Sequence, residues 1–197
     1  MTQTEPDIKI RILLAAKRLF AQQGYDGTSC RQVCEAAGAN IALISYHFGG
    51  KEGVYKAVVE HFFPIKELKS VNFADLDPIE GIRLLVSRII QVTHRDRELS
   101  FIIQQEMLLR SPRRQTVMNV LVEVWSQVRS LLLRGKEEGV FTFDSSTNAL
   151  VMVMGVALSH KHMVNFEDVF ADEKIGVESI AAEAVRFILL GLGVKEA

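Results

Sequence analysis

The side chains best suited to chemistry are concentrated between residues 28 and 51. They carry hydroxyl, amide, imidazole, guanidinium and ammonium groups, at Thr28, Ser29, Arg31, Asn40, Ser45, Tyr46, His47 and Lys51. These groups donate hydrogen bonds or carry positive charge, and helix N-termini add backbone N–H donors, so the set suits the phosphates of an anionic chain. Two simpler interpretations remain open: Tyr46 and His47 as an exposed pair on a structural helix, and Arg31 as a solvated charge.

Two short helices joined by a turn are predicted to present these groups. Thr28 and Ser29 are suitable N-caps for a helix that ends at Gly38, and a second helix is predicted over Ile41–Phe48, before Gly49-Gly50. Apolar side chains would seat the pair on the first helix of the chain, at Val33, Cys34, Ala37 and Ile44. Such a pair is a helix-turn-helix, whose second helix can enter the major groove of DNA.

The rest of the chain is also predicted to be helical, which makes the fold class all-α. Apolar periodicity indicates helices over residues 7–23, 51–63, 77–90, 98–110, 112–138, 145–165 and 177–190. Pro64 interrupts the fourth helix and is the best internal boundary.

This order of motifs resembles the TetR (tetracycline-repressor-like) family over about residues 8–60. A helix ending before Gly-Tyr is followed by Thr-Ser-x-Arg, Ala-Ala-Gly, Ser-Tyr-His-Phe and Lys-Glu. The resemblance implies phosphate contacts at Thr28, Ser29 and Lys51, and a position at Arg31 that sometimes reads bases. It implies a recognition helix with contacts at Asn40, Ala42, Leu43, Ser45, Tyr46 and His47.

Two positions depart from that family's pattern. Ile41 stands where the family often has Lys or another polar residue, and Leu43 stands where it often has Thr or Asn. Base readout is therefore expected to use van der Waals contact with thymine methyl groups, or a small number of hydrogen bonds.

The resemblance implies two domains: a helix-turn-helix over residues 1–50, and a helical regulatory and dimerisation domain over 51–197, with a connecting helix at about 51–63. It predicts a homodimer that binds double-stranded DNA at a palindromic operator, as a repressor that a small molecule releases. Broad apolar stripes on the last two helices predict a dimer interface at Leu150, Met154, Ala157, Leu158, Ala181, Ala184, Val185 and Ile188. Packing within one chain is the alternative explanation of these stripes.

A ligand pocket is expected among the central helices, although core packing explains each of its apolar residues equally well. The candidate lining residues are Phe62, Phe101, Gln104, Gln105, Met107, Trp125 and Met152. Glu106 and His94 are further candidates for polar contacts to a ligand.

Other function classes find less support. A phosphate-binding loop, a nucleophile elbow and an alternating strand pattern are all missing, so an enzyme is not expected. His160 and His162 are two residues apart and would diverge on a helix, and Cys30 and Cys34 fit a packed helix, so neither a metal nor a cofactor is expected.

Composition and net charge limit the class of protein and the way in which it can bind DNA. Hydrophobic residues make up 48% and charged residues 24% of the chain, which indicates a globular protein, and the two cysteines fit a reducing cytoplasm. No membrane partner is expected. A net charge of −1 argues against binding DNA by charge alone. An effector-independent architectural or cell-division protein that binds DNA stays open as an alternative.

Overall fold

We describe a computed structural model of the chain, which covers residues 7–68, 70–166, 169 and 175–195. Every regular element among these residues is helical. The helices are α1 (Ile8–Gln23), α2 (Cys30–Ala37), α3 (Ile41–Phe48), α4 (Lys51–Phe62), α5 (Ile65–Leu68), α6 (Pro78–Arg95), α7 (Arg97–Leu109), α8 (Arg114–Glu137), α9 (Ser146–Leu158), a 3₁₀ helix (Ser159–Phe166) and α10 (Val177–Gly191). The all-α prediction is confirmed.

The chain forms two compact units. The first unit comprises the chain through Phe63 together with Asp96–Val120, and the second comprises Pro64–Arg95 and the chain from Leu121 onward. This division differs from the expected boundary after residue 50, because α4 packs against α1 and α3 and so belongs to the first unit. The first break lies at Pro64, which the sequence indicated as the best internal boundary. The outermost residues of the two expected domains, 1–6 and 196–197, lie outside the described residues.

The core of the first unit forms around α1. This helix begins at Asp7, whose carboxylate accepts a hydrogen bond from the backbone N–H of Lys9 at 3.2 Å. Its apolar face buries Ile12, Ala16 and Phe20 almost completely, and α2, α4 and α7 all pack against it. A helix with one such apolar face is stable only when other helices cover it, which is why α1 organises the unit.

In the second unit, α6, α9 and α10 pack against one another. Gly81 allows a close approach, because a Cβ atom there would come within 2.5 Å of the Leu131 side chain. The guanidinium group of Arg134 donates hydrogen bonds to the carbonyl oxygens of Phe73, Ala74 and Leu76, at 3.0, 2.9 and 2.5 Å. These bonds satisfy carbonyl groups of the irregular segment that leads into α6.

Two local features differ from the expected helices. The helix predicted over residues 145–165 ends as an α-helix at Leu158 and continues as a 3₁₀ helix to Phe166. The short helix α5 follows Pro64 directly and was not predicted, since four residues carry little periodicity. Among the described residues, no helix is long and apolar enough to cross a bilayer.

Candidate nucleic-acid interface

The start of α2 is fixed by a reciprocal capping arrangement at Ser29. The Ser29 hydroxyl oxygen accepts a hydrogen bond from the backbone N–H of Gln32 at 3.2 Å, and the Gln32 side-chain oxygen accepts from the backbone N–H of Ser29 at 2.8 Å. This capping box satisfies two of the N–H groups that a helix start leaves free. Ser29 and Arg31 are exposed, so this helix start lies at the surface of the first unit.

The turn between α2 and α3 depends on one glycine and one asparagine. Gly38 has a left-handed conformation, with φ of 61°, and its N–H group bonds back to the carbonyl oxygens of Cys34 and Glu35. Asn40 then caps α3, because its side-chain oxygen accepts a hydrogen bond from the N–H of Ala42 at 2.9 Å. The Asn40 amide is therefore already engaged in holding the helix, in addition to the base contact expected of it.

Helix α3 buries Ile44 and exposes one face to solvent. Ile44 is 1% exposed, whereas Ile41 and Tyr46 are 53% and 81% exposed. Ala42 and Ser45 are also exposed, and Leu43 and His47 are partly buried. The exposed positions 41, 42, 45 and 46 lie on one face of the helix, so α3 presents a mixed apolar and polar surface to solvent.

The structure assigns Thr28 a different role from the one that the sequence suggested. Thr28 is 2% exposed, and its hydroxyl donates to the carbonyl oxygen of Gly24 at 2.8 Å. This hydroxyl closes the turn after α1 and does not face solvent, so the expected hydroxyl contact with a phosphate is not available in this conformation. The sequence did not reveal this, because the same residue type serves both as a cap and as a buried turn residue.

Two cations accompany this surface. Arg31 lies exposed in the first turn of α2, and Lys51 begins α4. No carboxylate of the described residues lies within ion-pair distance of Lys51, whose ammonium nitrogen is 4.1 Å from the centroid of the Tyr25 ring. Its charge is therefore not neutralised within the part of the chain that the structure describes.

Beside Lys51 lies a buried cluster that the sequence did not reveal. The guanidinium carbon of Arg113 is 3.8 Å from the Tyr25 centroid, and an Arg113 nitrogen is 3.2 Å from a carboxylate oxygen of Glu106. Glu106 also accepts a hydrogen bond from the Ser111 hydroxyl at 2.6 Å. The sequence indicates Glu106 only as a possible ligand contact, since the proximity of residues on different elements has no signal in a single sequence.

Two tyrosines complete the cluster. The rings of Tyr25, Tyr55 and Phe20 lie with centroids 5.5 to 5.6 Å apart. Burial raises the pKa of Tyr55 far above its ordinary value, and burial likewise raises the pKa of Tyr25, which the Arg113 charge partly offsets. Both hydroxyl groups therefore stay protonated at neutral pH.

A cavity of about 220 Å³ opens onto this cluster within the first unit. It is lined by the end of α1, Tyr55, Arg113 and several residues of α7, including Gln105. Of the predicted pocket residues Gln105 lies on this cavity, and so does Glu106, the further candidate for a polar contact. Phe62, Phe101, Gln104 and Met107 belong to the same unit without lining it, and Phe101 is 48% exposed.

The other two expected pocket residues, Trp125 and Met152, belong to the second unit. Met152 is 69% exposed, so it faces solvent instead of an interior space. His94, the remaining candidate for a polar contact, has its ring centroid 6.4 Å from that of His160. The set predicted from the sequence is therefore divided between the two units.

The predicted dimer residues separate into two groups. Ala157, Ala181, Val185 and Ile188 are at most 4% exposed in the single chain, so they pack within the second unit. Leu150, Met154, Leu158 and Ala184 are partly buried. The strongly exposed apolar residues of these helices are different ones: Val151, Met152, Phe187 and Leu190.

The cysteines lie on α2, Cys34 buried and Cys30 partly so, and both thiols are free. Burial raises the pKa of the Cys34 thiol, which makes it a poor nucleophile. Within the described part of the chain, no group of three or more His, Cys, Asp or Glu residues is placed to hold a metal ion.

Comparison with known proteins agrees with this geometry. Residues 12–58 match the family described as "Bacterial regulatory proteins, tetR family". The chain is 29% identical over 135 residues to the probable HTH-type transcriptional regulator YttP of Bacillus subtilis, covering 66% of this chain and 64% of YttP. It is 28% identical to the HTH-type transcriptional repressor NicS of Pseudomonas putida, covering 78% and 77%. The matched segment thus spans slightly less than two thirds of YttP.

Solved structures share the fold. HlyIIR, a hemolysin II transcriptional regulator, superposes with a TM-score of 0.76 at 24% identity over 95% of this chain and 98% of HlyIIR. AibR, solved with isovaleryl coenzyme A and operator DNA, gives a TM-score of 0.74 at 20% identity over 92% and 97%. The capped α2–α3 pair and the exposed face of α3 thus lie within the segment that matches the tetR family model, and the chain shares the fold of these solved regulators.

Proposed function

We propose that this protein is a sequence-specific DNA-binding regulator of transcription, and that it represses its target until a small molecule releases it. The observation that carries the proposal is the outward face of α3, on which Tyr46 is 81% exposed while Ile44 is buried on the opposite side of the helix. A large aromatic side chain exposed on a capped helix of a helix-turn-helix is available for contact with DNA. Regulation of this kind requires binding, without chemical turnover.

The contacts divide into base readout and phosphate binding. Ser45, Tyr46 and His47 supply polar groups at the exposed side of α3, while Ala42 and Ile41 supply apolar surface for thymine methyl groups. The N-terminus of α2 at Ser29, together with Arg31 and Lys51, binds phosphates and sets the register of the protein on the duplex. Since the chain has a net charge of −1, these few positive groups provide the attraction locally.

The proposal includes a homodimer on a palindromic operator. Val151 of α9 and Phe187 and Leu190 of α10 are 60%, 68% and 48% exposed. Positions 187 and 190 lie on one helical face, and Gly155, one turn after Val151, has open space beside it. An apolar surface on two neighbouring helices suits a second copy of the chain, which would bring two recognition helices onto one operator.

The proposed effector is a small molecule whose binding weakens the affinity for DNA. Support comes from AibR, a protein of the same fold that was solved with isovaleryl coenzyme A and operator DNA. Acyl thioesters are therefore the first class of compound to test on this chain. A coupling of about 1–3 kcal/mol between effector and DNA binding would give useful control. Because the proposed regulator binds DNA directly, we propose that it acts in the cytoplasm.

The decisive experiment selects duplexes from a random-sequence pool with the purified protein. We expect a palindrome to be enriched, and we expect the Tyr46→Ala/His47→Ala variant to lose tight binding to it while keeping its melting temperature. Enrichment of no sequence, with weak binding that depends only on salt, would favour the architectural alternative. Addition of acyl thioesters to the selected complex then tests release.

A further inference from the structure

The Lys51 side chain contacts an aromatic ring where an exposed lysine usually contacts water. Its ammonium nitrogen is 4.1 Å from the centroid of Tyr25, close enough for a cation–π interaction. Lysine has four rotatable side-chain bonds and a strongly hydrated charge, so an unsupported Lys51 would sample many positions. The contact with Tyr25 restricts it to one region beside the start of α4.

The Tyr25 ring is in turn held by Arg113. The guanidinium carbon is 3.8 Å from the Tyr25 centroid and 5.8 Å from that of Tyr55. A planar guanidinium group stacks on a ring more effectively than an ammonium group, so Arg113 fixes the position of the ring. Two cations therefore contact one aromatic side chain, and a carboxylate that neutralises one of them reduces their mutual repulsion.

Glu106 supplies that compensation. Its carboxylate is 3.2 Å from an Arg113 nitrogen, and the side chains of Glu106 and Arg113 are only 4% and 13% exposed. The Ser111 hydroxyl donates to Glu106 at 2.6 Å and accepts from the backbone N–H of Arg113 at 3.1 Å. Arg113 is thus neutralised and anchored, while Lys51 has no carboxylate partner among the described residues and keeps its full charge.

We propose that Tyr25 and Arg113 are positioning residues that hold the Lys51 ammonium group ready for a DNA phosphate. This inference rests on the proposed DNA binding and deepens it. Neither Tyr25 nor Arg113 needs to touch DNA. Their effect acts through Lys51. Because the Tyr25 ring already restricts this side chain in the free protein, it loses less conformational freedom when it binds a phosphate.

The experiment measures how the affinity for a duplex of mixed sequence falls with salt. One phosphate contact contributes about 0.9 to the slope of log K against log salt concentration. The slope is negative, and we expect Lys51→Ala to reduce its magnitude by about this amount. Tyr25→Leu and Arg113→Gln leave the Lys51 charge in place, so they should keep the slope near that of the wild type but weaken binding at a fixed salt concentration. Combining either with Lys51→Ala should weaken binding no further than Lys51→Ala alone.

Two matched controls accompany these variants. Tyr25→Phe keeps the ring and should keep the wild-type affinity at that salt concentration. Arg114→Gln removes the same charge from the next residue, which is exposed, and should also leave the affinity unchanged. If Tyr25→Leu and Arg113→Gln keep the wild-type affinity while Lys51→Ala lowers it, the positioning role is wrong. It is also wrong if Lys51→Ala itself leaves the slope unchanged.

A second measurement needs neither DNA nor a folded variant. Protons held over an aromatic ring are shielded, so the Hε resonances of Lys51 in the wild-type protein should lie upfield of those of the exposed lysines in an NMR spectrum. An ordinary lysine shift would overturn the proposal even if Tyr25→Leu failed to fold. Because mixed-sequence binding and the Lys51 shift do not depend on an operator, failure to select a palindrome would count against the proposed function alone.

Discussion

Glu106 and Arg113 form an ion pair of 3.2 Å in which both side chains are shielded from solvent. Removing one partner of such a pair leaves a charge buried without compensation, which costs far more than the loss of a surface pair. Glu106→Gln should therefore lower the free energy of unfolding by about 3 kcal/mol, measured by urea denaturation.

A control for this prediction lies on the same helix. The Glu98 carboxylate is 3.6 Å from the ammonium group of Lys17 but is 44% exposed. Glu98→Gln should change the free energy of unfolding by less than about 1 kcal/mol. Equal effects of the two substitutions would show that the Glu106–Arg113 pair does not stabilise the first unit in the way that its burial indicates.

Tyr46 provides a test of the α3 surface that does not depend on stability. Tyr46→Ala removes a side chain that is 81% exposed, so the melting temperature should stay within the error of the measurement. The affinity for the selected palindrome should fall by ~1–3 kcal/mol if the tyrosine contacts a base. Leu108→Ala is the comparison, since Leu108 is 75% exposed on α7 and has no proposed contact with DNA. A similar loss in both variants would contradict base contact by Tyr46.

Phe187 tests the proposed dimer. Phe187→Arg places a charge on the exposed apolar face of α10 and should shift the protein toward the monomer in analytical ultracentrifugation. The matched variant is Ala182→Arg, which lies on the same helix about 140° around its axis and should leave the dimer intact. A monomeric wild-type protein would contradict the proposed dimer, and dissociation by Ala182→Arg alone would place the interface elsewhere.

Lys161 gives a prediction for pH. Burial lowers the pKa of Lys161 from its ordinary value of 10.5 to about 8. Between pH 8 and pH 10.5 the unfolded chain therefore binds more protons at this lysine than the folded chain does. Stability contributed by this group therefore rises with pH across that window. Lys161→Met has no buried charge and should be more stable than the wild type at pH 8. This difference in the free energy of unfolding should shrink as the pH rises from 8 toward 10.5, where the wild-type lysine loses its charge. A constant difference in the free energy of unfolding would show that Lys161 is solvated in the folded protein.

Local patterns in the sequence determined the helices and the helix-turn-helix. Helix α3 was predicted with the bounds that it has, because Asn40 caps its start and Gly49 adopts a left-handed conformation, with φ of 71°, at its end. Both signals act over a few residues, as capping interactions do. The same local character explains why the candidate DNA-contacting residues could be named from the sequence.

Tertiary structure decided which of these residues are free to act. Thr28 matched a phosphate-contacting position by type, yet its hydroxyl is bound to Gly24, and this assignment depends on how the chain turns after α1. The stripe with Ala181 and Val185 was predicted to be an interface, whereas both residues are buried within one chain. Hydrophobic periodicity reports that a face is buried without reporting what covers it.

The cluster around Tyr25 shows the same limit most clearly. Arg113 and Lys51 lie on different elements, 62 positions apart in the sequence, and each alone looks like an ordinary basic residue. The sequence determined that cationic and aromatic groups exist in the chain. Only the packing of α1, α4 and α7 brings them onto one ring, because side-chain contacts between distant elements depend on the fold as a whole.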